Sequence, residues 1–122
     1  MKILGIGVDI IENKRIKEAI KNKSFINRVY SVREQRQSNL IKNKVAFFSK
    51  RFAAKEAFSK ALGTGISNGI NFNEIVVLNK KSGKPYINIT GHTKKILLKK
   101  FKEMQFLILL FIIKYSSTYI RK

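Results

Sequence analysis

The stretch RFAAKEAFSKALGTG, residues 51–65, decides the fold, because it holds helix formers, small residues and a Glu/Lys pair ahead of a glycine-rich turn. From residue 46 through 62 nothing breaks a helix, Ala, Phe, Lys and Glu dominate, and Gly63 stands where a C-terminal stop belongs. The pattern predicts one long helix over 46–62. It puts Phe52, Glu56 and Lys60 on one line at i, i+4, i+8, with Ala53, Ala57 and Ala61 as a smooth strip beside them. A carboxylate and an amine thus share a face that another backbone can approach closely. Read alone, Glu56 and Lys60 are a solvated pair worth roughly 0.2–0.5 kcal/mol to the helix. The upstream sequence widens that reading. KILGIGVDII, residues 2–11, is an apolar, β-rich run carrying the single Asp of the chain, Asp9, near its end.

Gly5 and Gly7 alternate in that run and allow close backbone approach. The order G-x-G-x-D lacks the third glycine of the dinucleotide fingerprint, which removes a nicotinamide-binding reading. Asp9 is then either the N-cap of a helix over 10–21 or a metal ligand. Residues 10–22 have Ile11, Ile16, Ala19 and Ile20 in helical period with Lys14, Arg15, Lys17 and Lys21 around them, the pattern of a basic amphipathic helix. Short helical pieces follow at 24–30 and 31–41, the second opened by the capping-box pair Ser31 and Glu34.

Beyond the long helix, GTGISNG (63–69) is a turn-rich loop without the Walker A pattern. NEIVVLN (73–79) reads as a strand, KKSGKP (80–85) as a turn with Gly83 suited to positive φ, and residues 86–90 as the returning strand of a hairpin. Pro85 opens that second strand, where a missing N–H costs least. Residues 93–102 form a second basic helix with Ile96, Leu97, Leu98 and Phe101, and 106–113 a buried strand followed by a polar tail. The single His, His92, reads as a cap or surface residue. With no Ser-His-Asp or H-E-x-x-H arrangement, the usual hydrolase readings fail.

A chain of 122 residues is expected to form one domain, 1–122. Its longest apolar run has eight residues, against roughly 20 needed to cross a bilayer. No signal peptide is evident. Cysteine is absent, which excludes a disulfide framework or a thiolate metal site and fits a cytoplasmic location. Lys and Arg number 26 against seven acids, a balance that favours polyanions: nucleic acid, anionic membrane, phosphorylated cofactors or an acidic protein.

GIGVDI (5–10) and RFAAKEAFSK (51–60), in this order and at this separation, resemble the signature of the 4'-phosphopantetheinyl transferases. The basic segment 12–16, ALGTGI (61–66) and SGKPY (82–86) extend the likeness over most of residues 3–92. The resemblance implies an α+β fold, a small antiparallel sheet packed with a long central helix, assembled as a homotrimer with an active site at each subunit boundary. It implies transfer of the 4'-phosphopantetheine arm of coenzyme A to a serine of an acidic apo acyl carrier protein, in fatty acid biosynthesis, with adenosine 3',5'-bisphosphate released. Asp9 and Glu56 would hold Mg2+, a hard ion that takes carboxylates, waters and phosphate oxygens. Glu56 would also act as the base for the serine, and Lys60 would meet the pyrophosphate. Arg51, Ser59, Lys60, Gly65, Gly83, Lys84 and Pro85 would line the coenzyme A groove, and Arg15 would receive the carrier protein. Neither nucleic acid nor membrane is an implied partner.

From about residue 104 the chain departs from the family pattern: MQFLILLFII (104–113) and KYSSTYIRK (114–122) stand where a polar motif belongs. Two alternatives follow, a catalytically impaired family member and a small basic nucleic-acid-binding domain. Against the second, the Phe side chains fall at core-like spacing and are not interleaved with Arg for base stacking.

Overall fold

A computed structural model of the chain describes residues 7–11, 13–62, 69–100 and 111–115. Along it run β1 (Gly7–Ile11), α1 (Asn13–Ala19), α2 (Lys23–Val29), α3 (Val32–Ser38), α4 (Lys44–Ala61), a 3-10 turn (Phe72–Glu74), β2 (Ile75–Asn79), β3 (Pro85–Ile89), α5 (Gly91–Lys100) and β4 (Phe111–Tyr115). The architecture is α+β, with helices packed on two short sheets.

The long helix starts two residues ahead of expectation because Asn43 caps it, its Oδ1 accepting from the Ala46 N–H at 3.0 Å. Phe47, Phe48, Ala53, Ala54, Ala57 and Phe58 are all buried, so α4 is enclosed on several sides rather than along one stripe. β1 and β4 both run against it. β1 and β4 pair in parallel, Gly7 opposite Phe111 through Ile11 opposite Tyr115. The antiparallel pair anticipated from sequence is β2 and β3, Ile75 opposite Ile89 through Asn79 opposite Pro85. Its turn has Gly83 at φ 93°, and Pro85 begins the returning strand as expected. β2 is buried at Ile75, Val76, Val77 and Leu78, whereas β3 is mostly exposed and turns only Ile87 and Ile89 partly inward.

The Phe side chains of residues 25–72 do form core. Phe48 packs 4.6 Å from Tyr30 and 5.4 Å from Phe47, centroid to centroid, and Phe52 sits 6.1 Å from Phe25 and 6.0 Å from Phe72. Ile16 of α1 and Leu97 of α5 close the core from the two basic helices, while Leu98 is exposed. The capping box of α3 is present, Ser31 Oγ accepting from the Glu34 N–H at 3.1 Å and Glu34 Oε1 from the Ser31 N–H at 2.8 Å. Among the described residues no helix is long and apolar enough to cross a membrane.

Two further differences from the sequence reading concern Asp9 and the start of α5. A helix over 10–21 capped by Asp9 does not form: β1 continues through Ile11 and α1 begins at Asn13, leaving Asp9 in mid-strand opposite Ile113. The β-branched Val8, Ile10 and Ile11 around Asp9 prefer the ladder that β4 offers. α5 begins at Gly91 rather than Thr93, because Glu74 reaches across to serve its first turn, taking the His92 N–H at 3.0 Å and the Thr93 N–H at 2.9 Å. Gly91, at φ 60°, is required there, since a Cβ would collide with the Glu74 carboxylate. Phe101 and the expected strand residues 106–110 lie outside the described residues.

Candidate active site

The line Phe52, Glu56, Lys60 runs from core to solvent. Phe52 is half-buried among aromatic rings, Glu56 is half-buried at the rim, and Lys60 is exposed. Both charged groups are engaged with neighbours. Ser59, fully buried, turns its hydroxyl back to donate to the Glu56 carbonyl at 2.8 Å. The packing of β1 on α4 puts the elements that bear Asp9 and Glu56 in contact. Two carboxylate residues on touching elements suit Mg2+, which keeps several waters and binds one or two carboxylates together with substrate phosphate. Among the described residues no group of three or more His, Asp or Glu side chains forms a closed metal cage, and a Mg2+ completed by phosphate needs none.

Arg51 and the hairpin turn are also joined. The Arg51 guanidinium lies 3.6 Å over the Phe47 ring and donates from Nη2 to Asn79 Oδ1 at 2.8 Å. Asn79 Nδ2 in turn donates to the Gly83 carbonyl at 2.9 Å, next to the exposed Lys84 and Pro85. The structure therefore connects Arg51 to Gly83, Lys84 and Pro85 through one side chain. Gly65 lies outside the described residues. Arg15 is exposed on α1, and His92 is exposed at the start of α5.

Beneath this rim lies a network that the sequence reading missed. Lys55 is fully buried and its Nζ donates to Glu34 Oε1 at 2.9 Å, to the Phe72 carbonyl at 2.8 Å and to the Ile75 carbonyl at 2.6 Å. Glu34, equally buried, accepts from the Val77 N–H at 3.0 Å through Oε2. Burial pushes the Lys55 ammonium down to about 8, against the pull of the Glu34 carboxylate and its hydrogen bond. Burial, with the Glu34 charge adding to it, pushes the Tyr30 phenol well above its ordinary range; its hydroxyl donates to the Phe48 carbonyl at 2.8 Å. A signal existed: Lys55 falls at i+7 from Phe48 and i−3 from Phe58, inside the apolar stripe.

The second unanticipated group is Glu74. It accepts from Asn71 Nδ2 at 3.1 Å and from Thr93 Oγ1 at 2.8 Å besides the two α5 amides. Desolvation raises its pKa, but the hydrogen bonds from Thr93, Asn71 and His92 outweigh that and bring it down to about 2.

The model of the 4'-phosphopantetheinyl transferase superfamily matches residues 5–108. A holo-[acyl-carrier-protein] synthase of Pelagibacter ubique is 53% identical over 98% of this chain and 96% of its own length. Among solved structures, the holo-[acyl-carrier-protein] synthase of Neisseria meningitidis superposes with a TM-score of 0.72 at 36% identity, covering 81% of this chain and 80% of that one. The Bacillus anthracis enzyme of the same name, solved in complex with coenzyme A (3',5'-ADP), gives 0.66 at 40% identity over 73% and 77%. The fold and these likenesses define a group-transferring enzyme. The chain belongs to the 4'-phosphopantetheinyl transferase superfamily, as its two motifs implied. Likeness to the Pelagibacter relative, covering 98% of this chain, reaches into the segment from about 104 that departs from the family pattern.

Proposed function

We propose that this chain transfers the 4'-phosphopantetheine moiety of coenzyme A to a serine of an apo acyl carrier protein, with Mg2+, as a cytoplasmic step serving fatty acid biosynthesis. The observation that supports it most is the contact of β1 with α4, which associates the strand of Asp9 with the helix of Glu56 and Lys60. Asp9 and Glu56 would hold the ion. Bound there, Mg2+ would supply neutralising charge for the pyrophosphate of coenzyme A.

The remaining chemistry falls to the side chains. Glu56, half-buried at the rim, takes the proton from the serine hydroxyl. The serine oxygen forms a bond to the phosphorus that carries the pantetheine arm, the bond to the bridging oxygen breaks, and adenosine 3',5'-bisphosphate leaves with the electron pair. Lys60 offsets the charge that develops on the leaving phosphate. Arg51, Gly65, Gly83, Lys84 and Pro85 line the groove for coenzyme A, with the buried Ser59 behind it. Arg15 on α1 meets the acidic carrier, and three copies of the chain complete the sites at their boundaries.

Incubation with apo acyl carrier protein, coenzyme A and Mg2+, read by intact mass, tests the reading. The carrier is expected to gain one phosphopantetheine arm. An unmodified carrier, with coenzyme A intact, overturns it.

A further inference from the structure

We propose that Asn79 is a positioning residue for coenzyme A: its amide ties the Arg51 guanidinium on α4 to the turn bearing Gly83, Lys84 and Pro85, so the two sides of the cofactor groove are held as one unit. The proposal rests on the reading of the groove given above. Asn79 closes β2, and it is exposed where the four residues before it are buried. Both ends of its amide are used, Oδ1 accepting from Arg51 at 2.8 Å and Nδ2 donating to the Gly83 carbonyl at 2.9 Å. Only a side chain that accepts and donates serves both partners. A carboxylate would face the carbonyl with no proton, and an amine would face the guanidinium with like charge.

The fold itself does not depend on this link. The turn has its own bonds, Gly83 N–H to the Lys80 carbonyl at 2.8 Å and Lys80 N–H to the Lys84 carbonyl at 2.9 Å, and β3 is held by its ladder to β2. Arg51 is seated independently over Phe47. What Asn79 adds is the mutual register of a cation and a turn that come from different elements. A ligand that spans them gains from having that register set before it arrives.

The test measures coenzyme A binding by calorimetry, with steady-state rates for each substrate and a melting curve. Asn79→Ala is expected to weaken coenzyme A about five- to tenfold, less than a full charge-assisted hydrogen bond because the bond lost positions Arg51 and does not itself touch the ligand. KM for the carrier protein is expected to change less than about twofold, with no shift in melting beyond that of an ordinary surface substitution. In an Arg51→Met background the same substitution should cost only about twofold, because coupled residues are not additive. Equal losses in both backgrounds, equal damage to both substrates, or unchanged coenzyme A binding each overturn the role of Asn79. A wild-type protein that binds no coenzyme A overturns the reading of the groove itself, and this proposal with it.

Discussion

Lys55 and Lys60 stand little more than one turn apart on α4, yet one is wholly enclosed and the other lies in solvent. Enclosing an ammonium costs several kcal/mol unless its protons are met, and Lys55 meets three fixed acceptors on α3, the 3-10 turn and β2. Its charge is committed to shape. Lys60 faces a surrounding that can change, so its charge suits a ligand that comes and goes. The lesson is that one residue type on one helix is either committed to the fold or left at the surface according to the acceptors that surround it.

The comparison breaks most visibly at Lys55. Lys55→Met leaves the Glu34 carboxylate buried without its cation and is expected to destabilise the fold by about 3–5 kcal/mol in urea denaturation. Adding Glu34→Gln should recover much of that, since the orphaned charge is gone. A single-variant loss below about 1 kcal/mol would show that the pair is not the clamp described here.

At the rim the balance inverts. Glu56→Gln is expected to slow transfer by about 10²–10⁴-fold while stability moves within about 0.5 kcal/mol. Asp9→Asn should lose metal-dependent transfer as well. Near-normal rates in either variant would remove that residue from the metal and base assignments.

Glu74 stands between the two cases, half-buried and serving a helix end. Glu74→Gln is expected to cost about 1 kcal/mol, as for a lost cap. Its carboxyl is held at about 2 against an ordinary 4.5, so its contribution is present above pH 4.5 and is lost as the pH falls from there through 2. Melting curves of wild type and variant should converge across that window. A gap that persists at its acid end would assign the effect to shape rather than charge.

The smallest effect is expected at Arg15, exposed on α1. Arg15→Glu should raise KM for the carrier several-fold and leave coenzyme A unaffected, with added salt mimicking it in the wild type. Equal change for both substrates would move Arg15 into the cofactor groove.

Much of the outer site was legible because it lies in local patterns. Phe52, Glu56 and Lys60 follow from helical period, and Gly83 and Pro85 from turn chemistry. Glu34 was legible only in its local role, as partner of Ser31 in the capping box; its bonds to Lys55 and Val77 come from elements distant in sequence. Glu74 was missed for the same reason, since it serves a helix that begins well downstream. Asp9 was left open between the cap of a helix over 10–21 and a metal ligand, and the ladder to β4 removes only the cap. Long-range partners, not local propensity, account for what the sequence left open.

The parallel pairing of residues 7–11 with 111–115 also bears on how the protein is made. β1 is made before every other described element and must wait for nearly all of the described chain before its ladder partner exists. Parallel strands need a crossover between them, and here that crossover contains α1 through α5. The ladder of the strand that carries Asp9 is thus the last pairing to form, after the hairpin and α4 can already have packed. During that delay β1 presents an unpaired edge, which on crowded ribosomes invites pairing with a neighbouring nascent chain. A polypeptide cut short of residue 111 would keep the helix of Glu56 but lose the ladder partner of the strand that carries Asp9.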